Sequence, residues 1–267
     1  MQKISIGCAG WDYVDWVGPF YPKKLKKQFH LAYYAKFFNI AEINSTFYSL
    51  PSIDTSSKWN SRVPPNFRFI VKMWQKITHN LDDSEIESRI TLFLYRMEPL
   101  KNKTIAYLLQ FPPWFKYSEK HLNQLKFLVN SIPEAFKLVI ELRDNSWFEP
   151  KILSEFIDGS HKILGTTYMP KLNPYFLPNQ NYYYIRLIGD RKLTVFNRIQ
   201  REQEESLVHL KSEINNLTSI PNIFEIFIIV NNHFAGFAPE TVNILKKELG
   251  LEFQDFNKQK KIFDYLK

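Results

Sequence analysis

The sequence contains few of the residues on which several common kinds of site depend. Cys8 is the single cysteine among 267 residues, which excludes an intrachain disulfide and a tetrathiolate zinc centre and favours a reducing, cytoplasmic compartment. With only eight glycines, the chain has no glycine-rich dinucleotide or phosphate-loop motif. It also lacks a signal-peptide core and any run of the roughly 18 apolar residues that a membrane span needs. We therefore predict a protein without a membrane segment.

The composition is that of a folded, basic protein. Hydrophobic residues make up 45% of the chain, and 35 Lys and Arg residues against 27 Asp and Glu give a formal charge of +8. Such a charge favours anionic ligands or nucleic acid. A lysine-rich surface that maintains solubility is the alternative, because the charges form only small clusters, one at 23–27 and one at 258–261.

Apolar, β-branched segments alternate with helix-period segments along the chain, which is typical of repeated βα units around a parallel sheet. Eight strands are predicted: Lys3 to Ala9, Ile40 to Phe47, Phe67 to Trp74, Thr104 to Phe111, Lys137 to Asp144, Lys162 to Tyr168, Tyr182 to Ile188 and Ile223 to Asn231. This number predicts a TIM-type (β/α)₈ barrel as a single domain over residues 1–267, with an open doubly wound sheet as the alternative.

The connecting segments predict most, but not all, of the outer helices. Apolar residues at helical spacing indicate helices through Leu122, Leu125, Val129 and Ile132 and through Leu207, Leu210, Ile214 and Leu217. Ser84 followed by Glu87 indicates a capping box at the start of a third helix. Between strands six and seven, prolines at 170, 174 and 178 leave no room for a full helix.

Polar residues end most of the predicted strands. Because the carboxyl ends of parallel barrel strands meet at one rim, these side chains are expected to gather there. The strand-end segments that carry these polar residues are Ala41-Glu42-Ile43-Asn44, Val71-Lys72, Leu109-Gln110, Ile140-Glu141-Leu142-Arg143, Tyr184-Ile185-Arg186 and Val230-Asn231-Asn232-His233. We predict the functional site at this rim.

A family resemblance is visible in several of these segments and in the opening segment Gly7-Cys8-Ala9-Gly10-Trp11-Asp12-Tyr13. The chain resembles the YecE-like family, domain of unknown function 72, and the likeness continues through Glu42 to Tyr48, Ile77-Thr78-His79, Gln110 to Pro113, Ser146-Trp147 and Asn231 to Phe234. The resemblance implies a TIM-type barrel, grouped by structure with metal-dependent sugar isomerases and apurinic endonucleases. It implies no settled reaction.

The chain departs from the family pattern at three positions. Tyr168 stands where an acidic residue is usual near the end of strand six. Ile188 stands where a His usually follows the strand-seven Arg, and Asp144 where a His usually follows the strand-five Arg. If those groups do chemistry elsewhere in the family, this member is altered or inactive.

Two pairs of residues with a spacing of two are candidates for the chemistry. Glu141 and Arg143 share a strand face, so they can act as a proton-transfer carboxylate and an anion-binding guanidinium, or as a structural ion pair that closes the barrel. Glu42 and Asn44 repeat the spacing on strand two. Asn44 either aligns substrate or caps the following loop.

Cationic and amide groups complete the predicted binding set. Lys72 and Arg186 join Arg143, so three cations face the two glutamates, and a surplus of one charge favours a phosphate, a carboxylate or a nucleic-acid backbone as ligand. For Lys72, the alternative is a stem packed on Trp74 with the ammonium in solvent. Gln110 and Asn231 are expected to align the ligand.

His233 is the predicted acid–base histidine, since an unperturbed imidazole titrates near neutral pH. His79 also follows a strand. Only these two histidines and the two strand-end glutamates could bind a metal at the rim, and the neighbouring cations would oppose it, so we predict neither a metal nor another cofactor.

Aromatic side chains near the rim form the last group of candidates. Trp11, Tyr48 and Trp147 are predicted to contact a base or sugar of the substrate, with packing inside the loops as the alternative. Cys8 is expected to be a small buried thiol that fills the barrel rather than a nucleophile.

The leading prediction is an enzyme that binds a small anionic or phosphorylated substrate at the carboxyl-terminal face of the barrel, with a hydrolase, a lyase and an isomerase using Glu and His as the candidate classes. Glu42, Glu141 and His233 are its predicted catalytic residues. A nucleic-acid-binding or -processing protein and a non-catalytic binding module are the alternatives. The sequence does not determine the oligomeric state.

Overall fold

Eight parallel strands close into a barrel in the computed structural model, which describes residues 3–257. The strands pair in chain order, with β8 completing the barrel against β1. They are β1 (Lys3–Ala9), β2 (Ile40–Ile43), β3 (Arg68–Lys72), β4 (Thr104–Gln110), β5 (Leu138–Glu141), β6 (Lys162–Tyr168), β7 (Tyr182–Leu187) and β8 (Glu225–Val230). The predicted (β/α)₈ barrel is confirmed. Whether the whole of residues 1–267 forms one domain stays a prediction, and the basic residues Lys258, Lys260 and Lys261 lie outside the described residues.

Helices of very different length connect the strands. The longer ones pack on the outside of the barrel, whereas those of four or five residues occur mainly within loops. They are α1 (His30–Tyr34), α2 (Ser45–Tyr48), α3 (Ile53–Ser61), α4 (Gln75–Thr78), α5 (Ile86–Met97), α6 (Glu119–Ser131), α7 (Pro150–Leu153), α8 (Glu204–Thr218), α9 (Asn232–Ala235) and α10 (Ala238–Glu248). Among the described residues, none of these helices has the length and apolar content needed to cross a bilayer.

The predicted strand starts lie within two residues of the observed ones, but several predicted ends were wrong. The predicted second strand ran to Phe47, whereas β2 ends at Ile43 and Ser45 begins the short helix α2. The predicted fifth strand ran to Asp144, whereas β5 ends at Glu141. Phe47 and Leu142, which continue the apolar pattern past these two strands, are buried like the strand residues, so composition alone does not mark the end of the ladder.

The predicted helix stripes are confirmed on α6 and α8. Helix α6 buries Leu122, Leu125 and Val129, and α8 buries Leu210, Ile214 and Leu217. Of the other predicted members, Ile132 is buried just beyond the end of α6, and Leu207 is half-buried. These faces pack on the barrel and account for the 3.6-residue spacing of the sequence.

The capping box at Ser84 was wrong. Helix α5 begins after Glu85, whose side chain makes no capping hydrogen bond. Instead, the Asp83 carboxylate accepts a hydrogen bond of 2.8 Å from the backbone N–H of Glu85 and pairs with Arg89. The Asp83 carboxylate, two residues before Glu85, therefore takes the capping role predicted for Ser84.

The missing helix between β6 and β7 is confirmed. Residues 169–181 are all described and contain neither helix nor strand beyond an isolated bridge from Met169 to Leu172. Tyr175 accepts a hydrogen bond of 2.7 Å from Thr166 on its backbone oxygen, which holds this segment against β6.

Apolar side chains from the strands form two separate buried layers. Outward-facing residues pack under the helices, and this layer includes Cys8, which was expected inside the barrel. Burial raises the pKa of its thiol to about 12, so the thiol is unreactive, as expected. Inward-facing residues fill the barrel: Ala9, Ile40, Ile70, Ala106, Leu108, Val139, Ile163, Tyr184, Phe227 and Ile229. The barrel is therefore a packed core with polar side chains only near its two ends.

An ion pair lies at the amino-terminal end of the barrel. Arg68 donates two hydrogen bonds, of 2.7 and 2.6 Å, to the Glu225 carboxylate and a third, of 2.6 Å, to Ser5. These side chains come from β1, β3 and β8, so they tie three strands together below the apolar layer.

Candidate functional site

A cavity of about 230 Å³ lies at the carboxyl-terminal end of the barrel, at the rim predicted from the strand ends. Its wall comes from β3, β7 and the segments that follow β1, β2, β5, β7 and β8. Seven of the predicted site residues line it: Asn44, Tyr48, Lys72, Arg143, Arg186, Asn231 and His233. Residues far apart in the chain thus meet around one cavity.

A chain of buried ion pairs forms the floor of this cavity. Arg186 lies at its centre, with its Nη1 2.6 Å from Glu141 Oε2 and its Nη2 2.6 Å from Glu42 Oε1. Arg143 Nε donates to Glu141 Oε1 at 2.6 Å, and the Tyr184 hydroxyl donates to the second oxygen of Glu42. Each carboxylate oxygen therefore has a charged or hydroxyl partner.

The two glutamates lie beneath the cavity and do not line it. Both are fully buried. Burial alone would raise the pKa of Glu141, but the guanidinium groups of Arg143 and Arg186 outweigh it and hold that pKa near 2. Glu141 is therefore ionised at neutral pH and holds two arginines in place. The predicted proton transfer by Glu42 and Glu141 stays a prediction, and their geometry favours a positioning role.

Lys72 reaches the cavity from the end of β3. Its ammonium donates to Gln110 Oε1 at 2.8 Å and lies 3.7 Å above the centre of the Phe47 ring. The alternative in which its stem packs on Trp74 and the ammonium stands in solvent was wrong, because Lys72 is only 5% exposed and Lys76 is the residue over Trp74.

The acid–base character of Lys72 is unusual for a lysine. Burial lowers its pKa to about 7; the neighbouring charges of Arg186 and Arg143 act in the same direction, and those of Glu141 and Glu42 oppose it. A substantial fraction of the amine is therefore neutral at physiological pH.

Asn44 and Asn231 serve the cavity differently. Asn44 occupies the N-cap position of α2, but its side chain makes no capping hydrogen bond, so the amide is available at the cavity wall. Asn231 caps α9, and its Oδ1 accepts a hydrogen bond of 3.0 Å from the backbone N–H of His233. The cap fixes the residue that carries the predicted catalytic imidazole.

The two histidines near the rim both have lowered pKa values. Burial, followed by the charge of Arg191, lowers the pKa of His233. Burial, followed by the charge of Lys72, lowers the pKa of His79 to about 4. Both imidazoles are therefore neutral at pH 7, and only His233 lines the cavity. A neutral imidazole in this place can accept a proton.

Three predicted binding residues lie away from the cavity. Gln110 is buried behind Lys72, and its amide donates to the Phe111 backbone oxygen at 2.6 Å. Trp147 is fully buried under the helices and donates to the Phe115 backbone oxygen at 2.7 Å, so the structure does not bring it to the site. Trp11 lines two neighbouring cavities instead.

Besides Ile188, sequence reasoning missed four residues of the cavity wall: Tyr13, Arg191, Phe196 and Asn232. Arg191 and Phe196 lie in the segment 188–203 after β7, which contains neither helix nor strand. The Phe196 backbone N–H donates to Asp15 at 2.8 Å, which ties this segment to the loop after β1. The run Gly189-Asp190-Arg191-Lys192 directly after a polar strand end was the signal available in the sequence.

Charge at the cavity is mainly positive. Lys72, Arg143, Arg186 and Arg191 line it, while Glu42 and Glu141 lie below, so four cationic groups face two carboxylates. No acidic side chain of the described residues is part of the wall. Arg191 is the addition to the three predicted cations, and it raises the formal surplus from one to two.

The three departures from the family pattern have separate surroundings. Tyr168 faces outward from β6, and its hydroxyl bonds to His209 Nδ1 at 2.8 Å. Asp144 caps a short 3₁₀ helix through the backbone N–H of Ser146. Ile188 alone lines the cavity. Of the three positions, only Ile188 therefore changes the character of the wall.

Metal binding has no support from the arrangement of ligands. Within residues 3–257, no group of three or more His, Cys, Asp or Glu side chains is placed to hold an ion. The carboxylates closest to the cavity are already bound to guanidinium groups.

A closed parallel (β/α)₈ barrel with a polar cavity at its carboxyl-terminal face defines the TIM-barrel class. Within this class, residues 5–263 match the model of the family described as "Protein of unknown function DUF72", and the chain belongs to that family.

Curated relatives carry names without an activity. The chain is 26% identical to the UPF0759 protein YunF of Bacillus subtilis over 94% of its length and 96% of that protein. It is 30% identical to the UPF0759 protein YecE of Escherichia coli K12 over 54% of its length and 50% of that protein.

Solved structures of the same family have the same fold. The DUF72 family protein TM1631 of Thermotoga maritima is 26% identical, with a TM-score of 0.77 over 93% of this chain and 99% of that one. EF0366 of Enterococcus faecalis is 22% identical, with a TM-score of 0.75 over 94% and 99%.

Proposed function

We propose that the protein is an enzyme that binds a small anionic or phosphorylated substrate in the cavity at the carboxyl-terminal face of the barrel. The observation that carries this proposal is the cationic wall with its surplus of two charges in a partly enclosed space. In TIM-barrel enzymes, the segments after strands seven and eight frequently form a phosphate site, and here they supply Arg191 and His233.

The geometry distributes the roles among these residues. Arg143, Arg186 and Arg191 bind the anion, since guanidinium groups match the oxygens of phosphate and carboxylate. His233, neutral at pH 7, accepts a proton from the bound substrate. Glu42 and Glu141 keep two of the arginines oriented before the substrate arrives, so little reorganisation accompanies binding.

Replacement of Arg143 tests the anion site. Arg143→Ala should leave the fold intact, because Glu141 keeps its contact with Arg186. Inorganic phosphate and small phosphorylated metabolites should raise the melting temperature of the wild type and have much less effect on the variant.

Arg89→Ala is the matched control, because Arg89 pairs with Asp83 and Glu85 outside the cavity. Its stabilisation by phosphate should equal that of the wild type. Equal stabilisation of Arg143→Ala would contradict the proposed anion site.

A second function, single-stranded nucleic-acid binding, is favoured by a pair of indoles beside the cavity. Trp11 and Trp59 pack edge to face with ring centres 5.8 Å apart. Both line two further cavities, of about 410 and 520 Å³. The first shares Tyr13 and Asn44 with the cationic cavity, and the second is lined by Lys26, Lys27 and Arg62. Aromatic rings between basic groups suit stacked bases and phosphates.

Salt dependence and a tryptophan variant test this alternative. Binding of a fluorescent oligonucleotide should weaken steeply between low and moderate salt. Trp59→Ala should weaken it by about tenfold or more, since stacking on one base contributes roughly 1–3 kcal/mol. Trp114→Ala, at an exposed tryptophan that lines none of these cavities, is the control. Absence of binding at low salt would exclude the alternative.

A further inference from the structure

We propose that Lys72 is the covalent nucleophile of the site and forms an imine with a substrate that carries both an anionic group and an aldehyde or ketone. This inference rests on the proposed anion site and specifies the class of its substrate.

The contacts of Lys72 distinguish it from the other cations of the cavity. Below the cavity, Glu141 pairs with both Arg143 and Arg186, and Glu42 pairs with Arg186. Lys72 instead donates to the neutral amide of Gln110. It therefore has no carboxylate partner within ion-pair distance among the described residues, and its amine is not held in the charged form by a salt bridge.

The supporting residues fix the amine at the cavity. The Gln110 amide is oriented by its own hydrogen bond to the Phe111 backbone oxygen, at 2.6 Å. The Thr46 hydroxyl donates to the Lys72 backbone oxygen at 2.6 Å, which ties α2 to the end of β3. The Phe47 ring covers one side of the ammonium. The amine thus has a defined position at the wall of the cavity.

The nearby arginines help to lower the pKa of Lys72, and they would also select a substrate that carries an anionic group. Burial and the arginine charges hold the pKa of the lysine near 7, so the nucleophilic free amine is present at neutral pH. The same arginines would bind the anionic end of the substrate and bring its carbonyl to the amine. A phosphate-free carbonyl compound lacks that attraction.

The reaction balances without a cofactor. The free amine attacks the carbonyl carbon, and the carbinolamine that forms loses the former carbonyl oxygen as water. The nitrogen gives up two hydrogens, the oxygen takes up two, and a carbon–nitrogen double bond replaces the carbon–oxygen double bond.

Reductive trapping tests the inference. The full chain is incubated with glyceraldehyde 3-phosphate and sodium cyanoborohydride, digested, and mapped by mass spectrometry. Labelling at Lys72 should exceed that at other lysines by about tenfold or more, as expected for a bound reactant. It should rise with pH through about 7 and then level off. Excess inorganic phosphate should suppress it, and phosphate-free glyceraldehyde should label Lys72 poorly.

Lys246 is the control within the same chain. It is similarly buried, at 8% exposure, and burial lowers its pKa to about 8, but it lies in a separate cavity that contains no arginine. Preferential labelling of Lys72 over Lys246 therefore reports the anion site rather than a reactive amine alone. Lys72→Met, checked for folding by circular dichroism, should lose the adduct.

The outcomes separate the two proposals. If phosphate stabilises the wild type but Lys72 is labelled no faster than Lys246, the imine inference is overturned and the anion site stands. If phosphate neither stabilises the protein nor affects labelling at Lys72, both are overturned.

Discussion

Glu141 accepts hydrogen bonds from Arg143 and Arg186 although it is fully buried. A buried carboxylate is costly without partners, and the same is true of the guanidinium groups it neutralises. The negative charge of Glu141 is therefore what permits two arginines to point into one small cavity. At the scale of the residue, the site depends on a group that a ligand would not touch.

Glu141→Gln should destabilise the protein by about 3–5 kcal/mol, because it leaves two buried guanidinium groups with less compensating charge. Urea unfolding at pH 7 measures this. In the wild type, the low pKa of Glu141, about 2, means that its contribution is complete above the usual glutamate range and is lost as the pH falls from that range toward 2. The variant should lack this part of the acid sensitivity.

Glu155→Gln is the matched control for that measurement. Glu155 is also ion-paired, with Lys126 at 2.7 Å, but the pair lies on the surface. Its removal should leave the urea midpoint almost unchanged. If the two variants lose similar amounts of unfolding free energy, the ion pairs under the cavity contribute no more to stability than a surface ion pair does.

The sequence predicted the residues of strands better than the residues of loops. Glu42, Lys72 and Arg186, which lie on β2, β3 and β7, were expected at the rim because the direction of side chains along a strand follows a period of two. Arg191 follows no such period, since it lies in an irregular segment whose course depends on contacts with distant parts of the chain. One of them is the hydrogen bond between Phe196 and Asp15.

The segment after β7 is the element that completes the cavity. Its second residue, Gly189, adopts a φ of +75°, and a Cβ there would lie 2.2 Å from the His233 backbone oxygen. The close approach joins this segment to the start of α9, so the elements that carry Arg191 and His233 are positioned together. Only glycine permits both the dihedral angle and the contact.

Gly189→Ala should therefore weaken anion binding without altering a charged side chain. The added methyl group has to displace the backbone of α9 or of the segment itself, which moves Arg191 and His233 apart. Phosphate-induced thermal stabilisation should fall, and the melting temperature without ligand should also decrease.

Gly250→Ala separates backbone strain from the contact. Gly250 has a similar φ of +65°, but a Cβ there meets nothing within 4 Å. It should cost about 1 kcal/mol of stability from the left-handed conformation alone and leave phosphate binding unchanged. If both variants lose phosphate binding equally, the contact with His233 is not what positions the site.

For the molecule as a whole, the barrel architecture followed from the sequence because eight strands and their connecting helices each leave a local pattern. The gathering of strand-end polar residues at the carboxyl-terminal rim followed as well, since strand direction fixes which end a residue occupies, whereas the ion pair at the other end was not predicted. The contacts within the cavity did not follow from the sequence. Which cation binds which carboxylate depends on side-chain positions that meet only after the barrel closes, and Lys72 is the clearest case, because its bond is to Gln110 rather than to a glutamate.

Both ends of the barrel contain buried ion pairs, and they should differ in function. At the amino-terminal end, the Arg68 guanidinium donates its hydrogen bonds to Glu225 and Ser5. Arg68→Met should destabilise the protein by about 3 kcal/mol, because it removes the guanidinium that pairs Glu225. Phosphate should still raise its melting temperature by the wild-type increment. Arg143→Ala should show the opposite combination, with little loss of stability and a large loss of the phosphate increment. Equal behaviour of the two variants would mean that the carboxyl-terminal cations serve only to close the barrel.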